Sequence, residues 1–156
     1  MTEAYTILRA LRTEIEDRIV DVTPTYDTNI SFTKIPSEVS RKEDVLENVK
    51  VTRAFRLGQA EQINEMPGYE ITGTGSEQPA YDIPLEIVYP TDQDYWREVA
   101  LDDFNLIRTD LANNRGGEPA GVQGRWVVSS PVFEQADEDP WEKMIFNIRT
   151  WLNVTR

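Results

Sequence analysis

The sequence predicts one α+β domain of 156 residues, a mixed or antiparallel β-sheet covered on one face by two helices, with a long loop or hairpin extension. Three stretches predict this fold. Residues 81–90 alternate apolar and polar side chains with a period of two, as a half-buried strand requires. Residues 96–111 repeat apolar side chains every three to four positions, which is the stripe of an amphipathic helix. Residues 125–133 return to period two. A strand, a covering helix and a second strand are therefore predicted to form the centre of the domain.

A first helix is predicted over residues 2–20. Its apolar stripe consists of Ile7, Leu8, Leu11, Ile15 and Ile19. Beyond Pro24, a weak alternation over residues 29–35 predicts a short or edge strand. The capping-box spacing of Ser40 and Glu43 then predicts one or two turns of helix.

Residues 49–57 are predicted to form a strand whose apolar face consists of Val49, Val51, Phe55 and Leu57. Arg53 falls on that face and interrupts it. Because a lone charge is unfavourable there, we expect Arg53 to lie near an edge or to contact a neighbouring element.

The next 23 residues, 58–80, contain four glycines and two prolines and predict a flexible loop. A loop of this length inside one domain is uncommon and is usually functional or mobile. Met66, Tyr69 and Ile71 give it enough apolar content to order against a partner. An exposed insertion with no such contact is the alternative interpretation.

The strand over 81–90 has two contrasting faces. Its apolar face consists of Ile83, Leu85, Ile87 and Tyr89, and its polar face of Asp82, Pro84 and Glu86. The following helix is predicted to begin near Thr91–Asp94 and to end at Asn113, with residues 116–124 as a linker. Its stripe, which should cover the sheet, consists of Trp96, Ala100, Phe104, Ile107 and Leu111.

Residues 134–142 join the last two strands, which we predict to form a hairpin. This segment carries five carboxylates, those of Glu134, Asp137, Glu138, Asp139 and Glu142. Such a cluster raises the hypothesis of a Ca²⁺ site, but the twelve-residue loop pattern with its central glycine is missing. We therefore predict a solvated turn, which Asp139–Pro140 also favours.

The final strand presents two different faces. Met144, Phe146, Ile148, Leu152 and Val154 form the apolar one; Ile145, Asn147, Arg149, Trp151 and Asn153 form the other. The second face mixes a charge, two amides and a tryptophan, which is typical of an interface. A tryptophan half-covered by a loop is the alternative. Together with the loop residues Met66, Tyr69 and Ile71, we take Asn147, Arg149 and Trp151 as candidate interface residues.

Composition narrows the possible chemistry. The chain has no cysteine and no histidine, which excludes disulfides, cysteine nucleophiles, the usual zinc ligands and the commonest general base. Sixteen basic and 28 acidic residues give a net charge of −12, so the protein repels nucleic-acid phosphates at long range. No apolar run approaches the roughly 18 residues of a membrane span. We predict no enzyme, no catalytic residue, no metal site, no cofactor and no membrane partner.

The order of these elements resembles the tail terminator proteins of long-tailed bacteriophages. The resemblance covers most of the chain and rests on a pattern of elements. It is carried by the N-terminal amphipathic helix, Val51–Leu57, residues 81–90 followed at once by a helix, and the closing stretch 139–154.

The resemblance implies a structural function in the virion. Members of that family form a hexameric ring on the last ring of the tail tube, stop tube growth and meet the head-side connector. Their sheets surround a channel for DNA, and an acidic chain suits a channel that DNA passes without being bound. The implied location is the head-proximal end of the tail, after assembly in the host cytoplasm.

Two alternatives remain open. The first is another ring protein of the virion, in the neck or at the completed head, which position in the particle would distinguish. The second is a carboxylate enzyme using Glu86 or the acids of residues 134–142. A cleft that holds two carboxyls with opposed pKa values would favour it.

Overall fold

The computed structural model describes residues 4–26, 30–34, 53–63, 76–77, 79–91, 95–113, 122–135, 141–152 and 154–155. These contain the helices α1 (Ala4–Asp21) and α2 (Trp96–Asn113). They also contain nine strands: β1 (Thr33–Lys34), β2 (Ala54–Leu57), β3 (Glu61–Ile63), β4 (Ser76–Glu77), β5 (Ala80–Pro90), β6 (Val122–Val128), β7 (Val132–Gln135), β8 (Trp141–Leu152) and β9 (Val154–Thr155).

Seven strands form one mixed sheet, and the predicted α+β class is confirmed. The order is β1-β2-β5-β8-β6, with β3 also paired to β5 and β7 also paired to β8. Only β1 and β2 run parallel; the other pairings in this sheet are antiparallel. Strands β4 and β9 form a separate antiparallel pair.

The two long strands β5 and β8 form the centre of the sheet. They pair over their whole length, from Ala80 opposite Trp151 to Pro90 opposite Trp141. The apolar face predicted for β5 is buried, because Ile83, Leu85 and Ile87 are fully covered and Tyr89 is 2% exposed. The register inferred from period two is therefore confirmed.

Both helices pack on this one face. In α1 the buried residues are Ile7, Leu11, Ile15 and Ile19; in α2 they include Ala100, Phe104, Ile107 and Leu111. All of these residues except Ile7 belong to one core, which also contains the inner side chains of β2, β5 and β8. The Phe104 ring meets Phe146 edge-on at 4.9 Å between centroids, so α2 is fixed directly against the central strand β8.

The predicted strand over 125–133 is wrong as a single element. The structure has β6 and β7 instead, both paired with β8 and separated at 129–131. Pro131 has no N–H to donate to the ladder. The side-chain hydroxyl of Ser129 accepts a hydrogen bond from the backbone N–H of Asn147 at 2.8 Å. The predicted linker 116–124 is also too long, because β6 begins at Val122.

The interval predicted as a loop, 58–80, is not irregular throughout. It contains β3, which pairs with β5, and β4, which pairs with β9. Gly58 makes the step from β2 to β3 possible: a Cβ there would lie 2.6 Å from Cγ of Pro84. The short helix predicted at Ser40–Glu43 lies outside the described residues.

Candidate functional site: the outer face of the sheet

The sheet has a second face, turned away from the helices, which we call the outer face. Alternate residues of β5 and β8 form its centre: Asp82, Pro84, Glu86 and Val88 on β5, and Lys143, Ile145, Asn147, Arg149 and Trp151 on β8. The pairing places Asp82 opposite Arg149 and Pro84 opposite Asn147. The outer side chains of these two strands are neither buried nor fully exposed, unlike the sealed inner face.

A bidentate ion pair crosses the middle strands of the outer face. Arg149 donates from Nε to Oδ1 of Asp82 at 2.8 Å and from Nη2 to Oδ2 at 3.1 Å. The two side chains are 32% and 16% exposed. The planar guanidinium matches the carboxylate geometry, so the head group of Arg149 is held in a fixed position on the surface.

A second charged group lies further along the same strands. The Oε2 atom of Glu86 accepts from Nε of Arg56 at 2.7 Å, and its Oε1 lies 3.6 Å from Nζ of Lys143. Glu86 therefore links β2 to β8 through one carboxylate. Between the two charged groups lie the neutral residues Pro84 and Asn147.

Apolar side chains border these charges at the β6–β7 edge. Val127 lies opposite Arg149 and is 45% exposed; Val132 lies opposite Ile145 and is 59% exposed. Trp151, at the end of β8, is half-buried. The described outer face therefore combines fixed charges with partly exposed aliphatic and aromatic side chains.

The predicted interface residues divide into two groups. The structure places Asn147, Arg149 and Trp151 together on the outer face, and their role in an interface stays a prediction. Met66, Tyr69 and Ile71 lie outside the described residues.

The acidic segment is shorter than the sequence suggested. Glu134 belongs to β7 and Glu142 to β8, and Oε2 of Glu142 accepts a 3.4 Å hydrogen bond from Nη2 of Arg97. Asp137, Glu138 and Asp139 lie outside the described residues. Among the residues that the structure describes, no group of three carboxylates is arranged to hold a metal ion.

Sequence reasoning missed a buried polar cluster on the inner face. Arg53 and Asp103 are 1% and 0% exposed and form an ion pair, with Nε to Oδ2 at 2.8 Å and Nη2 to Oδ1 at 3.2 Å. The Tyr89 hydroxyl donates to Oδ2 of Asp103 at 2.8 Å. Arg53 also donates to the carbonyls of Tyr26 and Ile30. The cluster ties the segment before β1 to β5 and α2.

Burial shapes the ionisation of this cluster. It raises the pKa of Tyr89 well above the ordinary value, and the nearby Asp103 carboxylate raises it further. Burial also raises the pKa of Asp103, while hydrogen bonds from Arg53 and Tyr89 oppose that rise. The expectation that Arg53 contacts a neighbouring element was right, but its partner lies 50 positions away. The only local signal was a charge within an apolar pattern.

The described carboxylates have two kinds of surroundings. The Asp103 carboxylate is sealed in the core and bonded to Arg53 and Tyr89. On the outer face, Asp82 and Glu86 are each held by a cation. The described part of the outer face thus carries a fixed pattern of charged and apolar side chains.

Comparisons with known proteins agree with the fold. A scan of family models and a search of curated proteins each find no match. Among solved structures, the chain is similar to a chain from "Virion of native gene transfer agent (GTA) particle". The TM-score is 0.65 at 10% sequence identity, and the alignment covers 97% of this chain and 100% of that one. The two chains therefore share a fold from end to end.

No helix in the described part of the chain is long and apolar enough to cross a membrane.

Proposed function

We propose that this protein is a structural virion subunit that forms a ring, caps the tail tube, ends its polymerisation and joins the tail to the head connector. The end-to-end likeness to a chain of a virion particle supports the structural class. The resemblance to tail terminators supports the particular position. Fold likeness alone is a weak guide to function. The main support therefore comes from the side chains of the outer face.

The observation that carries the proposal is the outer face. Its arginine at position 149 is fixed by Asp82 but remains 32% exposed, and Val132 is 59% exposed at the adjacent sheet edge. Fixed polar groups lose little conformational freedom on binding, which favours association. We therefore assign the outer face and the β6–β7 edge to contacts between subunits or with adjoining rings.

The proposed partners follow from this position. They are five further copies in a hexamer, the tail tube protein on one side and the head–tail connector on the other. The net charge of −12 disfavours stable contact with DNA, which would pass through the ring without specific binding. The protein would act without enzymatic activity and would reside in the virion.

Ring formation is tested with matched valine and leucine variants. Val132→Lys adds a charge to the outer-face edge, whereas Leu101→Lys adds the same charge to an exposed position of α2, where Leu101 is 39% exposed. Mass photometry should show rings for the wild type and Leu101→Lys, and subunits alone for Val132→Lys. A wild type that is monomeric in solution and in assembled particles would overturn the proposal.

The position in the particle separates tail capping from the neck or head-completion alternative. Particles assembled without this protein should carry tails of uncontrolled length that fail to join heads. Cryo-EM of complete particles should place the ring on the last ring of the tube. Normal tail length with the ring located under the portal would favour the alternative.

The segment 58–80 is proposed to contact the tube. Replacing Met66, Tyr69 and Ile71 with serine should leave the melting temperature nearly unchanged while tails lose length control or fail to join heads. If such variants still yield infectious particles, the capping contact lies instead on the face of Asn147, Arg149 and Trp151.

A further inference from the structure

An arginine at the start of α2 lies against two aromatic rings. The guanidinium carbon of Arg97 is 5.2 Å from the ring centre of Trp96 and 4.8 Å from that of Phe133. The two rings meet edge-on at 5.7 Å between centroids. Contacts of this kind restrict the orientation of a guanidinium. Arg97 is therefore an oriented cation that joins α2 to the strand β7.

The head group of Arg97 is accessible. Its side chain is 55% exposed, and the neighbouring Tyr95 is 76% exposed. Within the described part of the chain, the head group makes one hydrogen bond, from Nη2 to Oε2 of Glu142 at 3.4 Å. That distance is longer than usual for a bond from N–H to O, and a guanidinium carries five N–H donors. Most donors of Arg97 are therefore not used within the described residues.

The residues around this arginine are of the types that binding sites between proteins favour. Tyr, Trp and Arg are enriched where a few side chains carry most of the binding energy. Tyr95 also has a backbone φ of 61°, which is unfavourable for a residue with a side chain, and such strain is concentrated at functional sites. We call Tyr95, Trp96, Arg97 and Phe133 the Arg97 cluster.

We propose that Arg97 binds a carboxylate side chain of a second copy of this chain. The planar guanidinium can hold a carboxylate with two parallel hydrogen bonds. Each copy has 28 acidic and 16 basic residues, so two copies repel each other, and an exposed, oriented cation gives them a point of attraction. Phe133 belongs to β7, which pairs with β8 alone in the described sheet. The Arg97 cluster thus lies at the sheet edge already assigned to contacts between subunits, and the inference rests on the proposed ring.

Nucleic acid suits this surface less well than a carboxylate does. Glu98 follows Arg97 in the chain and is exposed, and Glu142 beside the guanidinium is 26% exposed. A nucleic acid carries a charge at every phosphate and would be repelled by both carboxylates. A single carboxylate side chain needs only the guanidinium.

Assembly measures the strength of the contact. Arg97→Gln removes the charge and the fork of donors, and the concentration at half-assembly in mass photometry should rise about 10-fold or more, as for the loss of one hydrogen bond between charged groups. Arg108→Gln is the matched control and should leave assembly unchanged, because Arg108 is exposed on the same helix and covers the Phe104 ring at 5.7 Å. The melting temperature should fall by about 4 °C or less in both variants. Leu101→Lys adds a cation one helical turn from Arg97, so it should not weaken a contact with a carboxylate.

Cross-linking identifies the partner. Arg97→Lys places an amine at this position, and a carbodiimide joins an amine to a carboxylate only where the two groups meet. Rings of this variant are assembled at high concentration from equal amounts of unlabelled and heavy-nitrogen-labelled protein, and cross-linked peptides are identified by mass spectrometry. We expect peptides of mixed labelling that join position 97 to an acidic residue of another copy. Arg108→Lys should give no such peptides from position 108.

The outcomes separate this inference from the proposed function. Rings in which position 97 is joined only to Glu142 of the same chain overturn the inference alone, as does an Arg97→Gln variant that assembles like the wild type. Cross-links from position 97 only to a different protein of the complete particle reject the second copy as the partner. If Arg97→Gln fails to fold, the cross-links of Arg97→Lys still decide. Absence of any assembly by the wild type overturns both proposals.

Discussion

The two faces of the sheet use charge in opposite ways. On the inner face, Arg53 and Asp103 are completely buried and their charges are satisfied by each other, by Tyr89 and by backbone carbonyls. On the outer face, the pair of Asp82 and Arg149 keeps 16% and 32% of its side chains in solvent. The same strand β5 supplies Tyr89 to one face and Asp82 to the other.

The difference predicts that the two faces contribute unequally to stability. Removing one partner of a buried ion pair leaves an uncompensated charge in the core, whereas a solvated pair contributes little to stability because water replaces the lost partner. Changes on the outer face should therefore leave the fold largely intact, and they can be used to test the proposed contacts with neighbouring subunits. Changes on the inner face should lower the free energy of unfolding more than changes on the outer face do.

The largest effect is expected from Asp103→Ala. It leaves the Arg53 guanidinium buried without its carboxylate, and the free energy of unfolding should fall by about 3–5 kcal/mol in urea titrations. Asp82→Ala is the matched change on the outer face and should cost about 1 kcal/mol or less. Equal losses for the two variants would show that the two faces do not differ in the way described.

Next comes Ile87→Ala, which opens a cavity under α2. The side chain is fully buried, so unfolding free energy should fall by roughly 2–5 kcal/mol. Its sequence neighbour Glu86 points to the outer face, and Glu86→Ala should change stability by about 1 kcal/mol or less. A reversed order of these two costs would contradict the assigned register.

A smaller effect on the free energy of unfolding is expected from the ionisation of Tyr89 at alkaline pH. Burial raises the folded-state pKa of Tyr89 above its ordinary value, so the folded chain keeps this proton where the unfolded chain has released it. The resulting stability is complete below about pH 10 and is lost as pH rises through the folded value, by about 1.4 kcal/mol per pH unit.

Denaturant titrations on either side of pH 10 should therefore show a steeper alkaline loss for the wild type than for Tyr89→Phe. Tyr5→Phe is the matched control, because Tyr5 is 69% exposed on α1, and it should keep the wild-type slope. If Tyr89→Phe keeps that slope as well, the phenol of Tyr89 does not control alkaline unfolding.

The smallest effect is the coupling between Asp82 and Arg149. A double-mutant cycle with Asp82→Asn and Arg149→Gln should give a coupling free energy of about 0.2–1 kcal/mol that shrinks as salt is added. The Arg149→Gln variant should nonetheless weaken ring assembly, since it removes a fixed charge from the proposed interface. A coupling free energy as large as that between Arg53 and Asp103 would show that the pair of Asp82 and Arg149 stabilises the fold as strongly as a buried ion pair.

Regular elements were predictable wherever the period was long enough to count. The alternation of Ile83, Leu85 and Ile87 set the inner face of β5, and the stripe through Phe104 set the face of α2; both are buried as expected. Period two likewise assigned Asn147, Arg149 and Trp151 to one face of β8, where the strand pairing has them. Such patterns are local, so the sequence carries them directly.

What was missed depends on contacts between distant residues or on very short elements. Strand β3 has three residues, too few for any period, and it exists because β5 offers a partner beyond Gly58. The partner of Arg53 is 50 positions away. No spacing rule links such a pair, because tertiary packing brings it together.

Arg53 also has a backbone φ of 72°, a conformation that a glycine would adopt more readily. The backbone and the side chain at this position therefore favour different amino acids. Arg53→Gly would relax the backbone but would leave the Asp103 carboxylate buried without its ion-pair partner. Loss of Asp103 would likewise leave the Arg53 guanidinium buried without its carboxylate. As the sequence diverges, neither residue can be exchanged first without a destabilised intermediate, so the two positions should change together or not at all.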